Sequence, residues 1–326
     1  MHLLITGAQG YVGRHVTAHA LAAGHTVRAT LRDTSLSEHL RDAIDASKDQ
    51  LQTVQLDLLS DAGWAEAMTG IDAVLHTASP VPTTRAPSDD AILRPAVDGT
   101  TRVLRHARDA GISRVVVTSS IAAILGSPDK GAGDTYDAGD WTPTDDPKVR
   151  AYARSKTLAE QAARRIAADA PTMRLATVNP GFVFGPPLGG PVSSSLTLVD
   201  MLLRGRFPAL FRISFPSVDA EDVAAAHLAA LTAEDGARII ASGRTLWLPE
   251  MAQAVREAVP SARVTRFILP DWIVRQARRV SPTLREFAGN VGQAKYTDPS
   301  SCEALLGRPL KDPLLAVAAT ARALAA

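Results

Sequence analysis

Cysteine is almost absent from this chain: a single residue, Cys302, excludes an intramolecular disulfide framework. No Cys-x-x-Cys pair exists to hold zinc or run dithiol exchange, and that usage suits a reducing compartment, so the expected location is the cytoplasm. An excess of one charge is also lacking. With 35 Lys and Arg against 34 Asp and Glu, the formal charge of +1 gives no field that would gather nucleic acid or an anionic membrane. Long hydrophobic runs are missing too: residues 314–321 fall far short of the roughly 18 a membrane span needs. The start, Met1-His2-Leu3-Leu4-Ile5-Thr6, passes straight into a glycine turn, and no secretory signal is expected. Neither a repeat of fixed period nor a low-complexity tail is present. The expected partner is therefore a small molecule met at a local site, not a nucleic acid or a membrane.

What is present is 326 residues of ordinary globular composition, enough for one large domain or two unequal ones. Short runs rich in Val, Ile and Leu recur at 3–6, 27–31, 53–56, 73–76, 114–119, 174–178 and 237–241. Their near-continuous apolarity marks strands buried on both faces. Helical stretches fill the gaps at 11–23, 96–110, 149–168 and 220–232. Alternating strand and helix predicts an α/β fold, a doubly wound parallel sheet of Rossmann type. After Val178 the rhythm breaks into a Gly- and Pro-rich stretch to Pro191, read as chain leaving the sheet. The expected division is a dinucleotide-binding domain over 1–181 and 217–243, with a smaller, mainly helical substrate lobe over 182–216 and 244–326. Short helical pieces punctuated by proline are expected after 243.

The first strand runs into Gly7-Ala8-Gln9-Gly10-Tyr11-Val12-Gly13 and then a helix. Glycines at that spacing allow a tight turn, backbone approach to a pyrophosphate and close packing of helix on strand, with the helix N-terminus facing the phosphates. Thr6, Gly7, Gln9, Gly10, Tyr11, Val12 and Gly13 are therefore candidate cofactor-binding residues. About twenty residues on, Leu31-Arg32-Asp33 ends the second strand. An acid there would serve the adenosine ribose of NAD, whereas a guanidinium pairs with a 2′-phosphate, so NADP(H) is expected. The alternative leaves Arg32 solvated and Asp33 on the ribose. Asp57, with Leu58 beside it past the third strand, either accepts from the adenine amino group or caps a helix.

Tyr152 and Lys156 stand at i and i+4 inside a helical stretch. Reducing a carbonyl needs a proton donor, and tyrosine with a free pKa of about 10 is a poor acid or base at neutral pH. A neighbouring ammonium and an oxidised nicotinamide both favour its phenolate, so that Tyr152 can deliver a proton in reduction and accept one in oxidation. Thr118-Ser119-Ser120 ends a buried strand some thirty residues earlier. In a parallel sheet such hydroxyls point into the crevice beyond the strand ends, where one of them can hydrogen-bond a substrate oxygen.

Together these segments, with Asn179-Pro180-Gly181-Phe182-Val183-Phe184-Gly185-Pro186, resemble an extended short-chain dehydrogenase/reductase. More narrowly, Val27 to Asp33, His76-Thr77-Ala78-Ser79-Pro80 and Asp140-Trp141 are similar to the dihydroflavonol-reductase-like aldehyde and ketone reductases, a resemblance that runs to about Gly243. It implies a Ser120-Tyr152-Lys156 catalytic set, the choice of Ser120 over Ser119 being one of alignment. It places Lys156 also on the nicotinamide ribose, Arg32 on the 2′-phosphate, and Thr77, Ala78 and Ser79 along the cofactor. Thr118 and Ser119 join them, while Pro180, Gly181, Phe182 and Val183 back the nicotinamide. Such reductases often add a lysine several residues past the arginine, where this chain has Ser37-Glu38-His39 and then Arg41.

The substrate pocket is expected to draw on Ser79, Pro80, Val81, Ser120, Ile121, Ala122, Tyr152, Phe182, Leu188, Val192, Leu196 and Phe215, predominantly apolar positions. The reading is reversible NADPH-dependent reduction of hydrophobic aldehydes or ketones by a monomer or homodimer, with no metal. Arg204, Arg206 and Arg212 keep open a nucleotide-sugar epimerase or dehydratase with bound NAD, and a non-catalytic NADP(H)-sensing regulator is a second alternative. His15 and His19, at i and i+4, are expected on an ordinary helix face rather than on a metal. Arg275, Arg278 and Arg279 are expected on a solvated helix face. Residues 126–148 are expected to form a substrate lid or a mobile connection.

Overall fold

The computed structural model describes residues 1–79, 88–191, 193–277 and 290–326. Strands β1 (His2–Thr6), β2 (Thr26–Leu31), β3 (Leu51–Gln55), β4 (Ala73–His76) and β5 (Arg114–Thr118) follow the apolar runs to within about two residues. The others are β6 (Thr135–Tyr136), β7 (Arg174–Pro180), β8 (Phe182–Phe184), β9 (Ser214–Asp219), β10 (Arg238–Ala241), β11 (Thr245–Trp247) and β12 (Tyr296–Thr297). Seven strands form one sheet in the order β10-β7-β5-β4-β1-β2-β3, parallel throughout.

Strand periodicity explains why the sheet must be covered on both sides. On β1, Leu3 and Ile5 enter one core while Leu4 enters the other, and on β5 Val116 is divided in the same way from Val115 and Val117. Helices α2 (Ser37–Ala43) and α3 (Trp64–Met68) are short, and α1 (Tyr11–Ala22) and α7 (Ala220–Ala229) pack together on the first face. On the second lie α4 (Asp90–Asp109) and α5 (Ala151–Ala168). The Rossmann-type α/β fold is thus present, and strand order reverses between β1 and β4, which puts the crevice for a ligand beyond their carboxyl ends.

Three expectations need correction. Helix α4 starts at Asp90 and not 96, with Pro95 inside it. The missing N–H of Pro95 costs one hydrogen bond, to the carbonyl of the exposed Ala91, and the helix continues through it. The lobe entered after β7 is not helical alone: β8 pairs with β9 and β9 with β11 in a second small sheet, and α6 (Ser194–Leu203) and α8 (Leu248–Ala258) follow. With the helix Pro313–Ala325 they enclose a third core around Phe184, Leu202, Phe211, Met251 and Val317. Strand β9 straddles the 216/217 boundary expected from the sequence. Lastly, residues 126–142 are fastened down instead of forming a mobile connection. β6 pairs with β12, the Gly126 N–H donates to Thr142 Oγ1 at 2.9 Å, and Lys130 bridges Asp137 and Asp140. No helix among the described residues is long and apolar enough to cross a membrane.

Candidate functional site

The glycine turn sits at the strand-order reversal. Gly7 has φ of 73°, and a Cβ there would stand 2.6 Å from Ala78 Cα; one on Gly13 would stand 2.1 Å from the Gly7 carbonyl oxygen. Both positions need glycine so that α1 can press onto β1 and the 77–79 segment can lie alongside. That segment is latched by Thr6: the Thr77 hydroxyl donates to the Thr6 carbonyl (2.6 Å) and the Ala78 N–H to Thr6 Oγ1 (3.2 Å). Thr6 Oγ1 also meets His76 Nδ1 at 2.7 Å, and burial drives the His76 pKa down to about 3, so this imidazole is neutral. The amide nitrogen of Gln9 is buried without a hydrogen-bond partner. A free donor at a glycine cradle beside a helix N-terminus fits a dinucleotide phosphate.

Tyr11, expected to touch the cofactor, spends its hydroxyl on the Gly185 carbonyl (2.8 Å), and burial pushes its pKa up. Arg14 and His15, one turn on, reach the carbonyls of Leu188 (2.9 Å) and Pro186 (3.2 Å), so three side chains of α1 pin the 185–188 segment. Leu188 therefore lies over α1 and is only partly buried.

At the end of β2, Arg32 is exposed, and among the described residues no side chain or carbonyl holds its guanidinium. Asp33 is engaged in its own turn, accepting from the Ser35 N–H at 2.9 Å, and those Ser35 hydrogen bonds hold its pKa down. Arg41 is pinned at its guanidinium by Glu38 and the Leu51 carbonyl. Asp57 does not cap a helix; it accepts from the Leu59 N–H (2.9 Å) in a turn, and Arg102 holds the Leu58 carbonyl.

The hydroxyls at the end of β5 have separate tasks. Thr118 Oγ1 lies 2.7 Å from Nε2 of His227, whose Nδ1 is 2.7 Å from the Val223 carbonyl. Nδ1 must donate there, and Thr118 donates to Nε2. Ser119 is buried and donates to Glu160 Oε2 at 2.6 Å. Ser120 accepts from the Ala122 N–H at 3.1 Å and bonds the Tyr152 hydroxyl, so its own proton is free for the phenol oxygen. The ring of Tyr152 is 37% exposed while its hydroxyl is crowded by protein. Burial of that end raises its pKa, and the Ser120 hydrogen bond opposes the rise.

Lys156, one turn along α5, is buried, and its ammonium meets the Thr118 carbonyl at 3.4 Å. Desolvation lowers its pKa to about 8, with Glu160 acting in the opposite direction. Burial is the largest influence on Tyr152, while the Lys156 ammonium is turned to the Thr118 carbonyl at the end of β5.

Sequence reading missed the buried pair behind this set. Glu160, one further turn along α5, accepts from Arg238 Nε on β10 at 2.7 Å, from Ser119, and from Asn179 Nδ2 at 3.0 Å. Arg238 stacks its guanidinium 3.7 Å from the Trp141 ring centroid. The i+8 spacing from Tyr152 was visible, but a partner 78 residues away was not.

Of the expected pocket side chains, Phe182 and Phe215 meet edge to face with centroids 4.7 Å apart. Leu196 and Ile121 are core residues, buried among Val183 and Val218 and among Ile124 and Tyr136 respectively. Val81, Pro80, Val192, Arg278 and Arg279 lie outside the described residues. Arg204 and Arg212 do not converge on an open site: each pairs with a carboxylate, Asp200 at 2.6 Å and Asp271 at 3.3 Å.

Comparison with known proteins places this geometry in context. Residues 3–241 match the model of the NAD dependent epimerase/dehydratase family. The chain is 32% identical over 272 residues to cinnamoyl-CoA reductase 1 of Arabidopsis thaliana, covering 82% of this chain and 75% of that protein. It is 32% identical over 275 residues to tetraketide alpha-pyrone reductase 2 of the same plant, covering 79% and 83%. In fold it is similar to yeast methylglyoxal/isovaleraldehyde reductase Gre2 complexed with NADPH, with a TM-score of 0.78 and 22% identity over 100% of this chain and 98% of that one.

Proposed function

This chain belongs to the NAD-dependent epimerase/dehydratase family as an NADP-dependent oxidoreductase of the extended short-chain dehydrogenase/reductase type, and we propose that it reduces hydrophobic aldehydes or ketones to alcohols. The observation that carries this reading is the convergence of Ser120, Tyr152 and Lys156 at the carboxyl end of β5: Tyr152 and Lys156 stand one turn apart on α5, Lys156 reaches the Thr118 carbonyl at 3.4 Å, and Ser120 acts on the Tyr152 hydroxyl. Relatives named as reductases support it, as does the unpartnered Arg32, a counter-charge suited to a 2′-phosphate.

The glycine turn, Gln9 and the 77–79 segment would hold the dinucleotide, with Arg32 on its 2′-phosphate. When bound, NADPH supplies the hydride for the carbonyl carbon. Tyr152 then gives its phenolic proton to the carbonyl oxygen, so hydride and proton together make the alcohol. A Tyr152 with a raised pKa holds that proton until negative charge develops on the substrate oxygen. With substrate in place Ser120 turns its single proton from the phenol oxygen to the same carbonyl oxygen, and the exposed edge of Tyr152 gives solvent a route to restore its proton. Residues 1–181 and 217–243 carry the cofactor in this reading, while 182–216 and 244–326 enclose the substrate. The engagement of Arg204 and Arg212 with carboxylates argues against these two as a clamp for a sugar diphosphate.

The test follows loss of reduced-cofactor absorbance, with NADPH and NADH in parallel, against aromatic and aliphatic aldehydes, ketones and β-keto esters. Faster consumption of NADPH with hydrophobic carbonyls is expected. Tyr152→Phe should lower kcat at least about 100-fold while sparing NADPH affinity. Idle cofactor with every carbonyl, together with NAD retained through purification and thermal protection by a diphosphate sugar, would replace this reading with the epimerase one.

A further inference from the structure

Three turns of α5 carry Tyr152, Lys156 and Glu160 at i, i+4 and i+8, but only the first two belong to the proposed reductase set. Glu160 is buried and takes hydrogen bonds from five side chains. Arg238 Nε (2.7 Å), Thr177 Oγ1 (3.3 Å) and Arg164 Nη2 (3.3 Å) meet Oε1, while Ser119 Oγ (2.6 Å) and Asn179 Nδ2 (3.0 Å) meet Oε2. Asn179 Nδ2 also reaches the Ser120 carbonyl at 3.3 Å. Arg238 extends the network by donating to the carbonyls of Ala138, Asp140 and Ala123, the last just after Ser120 and the first two in the segment that leads to α5.

A buried carboxylate costs much to desolvate, and a hydrophobic replacement is often no less stable, so stability alone does not call for this pair. Its position suggests a different use. Glu160 binds the hydroxyl of Ser119 and, through Asn179, the backbone of Ser120, which leaves the Ser120 hydroxyl facing Tyr152. The groups bearing on the Lys156 ammonium are Glu160 on its own helix, the Thr118 carbonyl on β5, and His76 on β4, with Tyr152 one turn before it on α5. His227 stands behind Thr118, Arg164 and Arg238 stand behind Glu160, and Asp140 contributes at Arg238. Both histidines are held neutral by burial. Glu160 is the one anion that acts on the Lys156 charge among the described residues.

We propose that Glu160, clamped by Arg238, is a positioning residue for the Ser120–Tyr152–Lys156 set, orienting Ser120 and supplying the negative charge that keeps Lys156 protonated. This inference rests on the reductase reading for its kinetic consequence but not for its electrostatic one. The sign follows from the burial of Lys156: desolvation already draws its pKa to about 8, so loss of the Glu160 charge draws it lower. The alkaline fall of kcat should then move to lower pH.

The experiment compares wild type with Glu160→Gln, which keeps the side-chain shape and removes the charge. Because the chain has only six lysines, the Lys156 signal can be followed by NMR after 13C labelling of lysine, assigned with Lys156→Arg. In Glu160→Gln the Lys156 titration midpoint should fall by about one pH unit. Its kcat should drop tenfold or more, with its alkaline limb shifted equally and NADPH affinity within about twofold. A variant that is only less heat-stable, with unchanged midpoint and kcat profile, overturns the proposal. If wild type turns over no carbonyl, the reductase reading fails while the NMR midpoint still decides the role of Glu160. If Glu160→Gln does not fold, Glu160→Asp, which draws the charge back by one methylene, should show both effects at smaller size; an unchanged midpoint and kcat in that variant refutes the proposal.

Discussion

Replacing Gly13 by alanine tests whether the contact of α1 with β1 is as tight as the structure shows. The new Cβ would stand 2.1 Å from the Gly7 oxygen, 2.8 Å from the Gly7 carbonyl carbon and 2.9 Å from Thr77 Oγ1. Two of these neighbours are backbone atoms of the glycine turn, so no rotamer change relieves the clash. The start of α1 must retreat by about 1 Å to reach a tolerable contact. Overpacking of that kind costs about 1–3 kcal/mol, and a backbone obstacle puts it near the upper figure. Alanine regains up to about 1 kcal/mol of helix propensity, which leaves a net loss of about 2 kcal/mol. At about 2–4 °C per kcal/mol for a chain of this class, Tm should fall by about 4–8 °C. Gly10→Ala is the control, because its Cβ would meet only the Gly7 oxygen, at 3.3 Å, and its φ of −74° suits any residue. Thermal melts of both variants without cofactor check the argument. Equal stability of Gly13→Ala and wild type, or a Gly10→Ala as damaged as Gly13→Ala, would refute it.

Two further predictions concern charge. Arg32→Ala should weaken NADPH binding by about 10–100-fold, the worth of a charge-assisted contact, and leave NADH within about twofold. Fluorescence titration with both cofactors checks this, and equal losses would remove Arg32 from the 2′-phosphate. Stability should also fall on mild acidification: burial holds the pKa of His76 at about 3 and those of His15 and His227 at about 4, so all three are neutral in the folded chain. Unfolded imidazoles protonate below about 6.5, and the unfolded state then binds more protons than the folded one. The stability these residues contribute is complete above pH 6.5 and is lost progressively toward pH 4. Denaturant melts at pH 7.5, 6.0 and 5.0 should show a steady decline, and a flat series across that range would contradict the neutral assignments.

The parts of the site that sequence reading located are those whose chemistry is local in the chain. Gly7, Gly10 and Gly13 are spaced by the demands of one turn, and Tyr152 and Lys156 share one helix face, so both patterns survive translation into a line of letters. The same holds for the sheet, since strands buried on both faces must be apolar nearly throughout. Glu160 reads as an ordinary helix carboxylate until Arg238 and Trp141 arrive from β10 and the segment before α5. Leu196 reads as a pocket residue because it follows a Gly- and Pro-rich stretch, yet α6 turns it into the core. The 126–148 segment reads as a lid or a mobile connection because its composition is that of a loop, although pairing with residues 296–297 holds part of it.

The sequence by itself determined the α/β class, the place of the glycine turn and the Tyr152–Lys156 spacing, because each depends on contacts within about one strand–turn–helix unit. Only the tertiary structure decided which serine is free. Ser119 and Ser120 are indistinguishable as letters, and the difference is that a buried carboxylate from α5 takes the proton of Ser119 while Ser120 is left to bond Tyr152. It also decided the charge environment of Lys156, since desolvation depends on everything packed around a group and not on its neighbours along the chain.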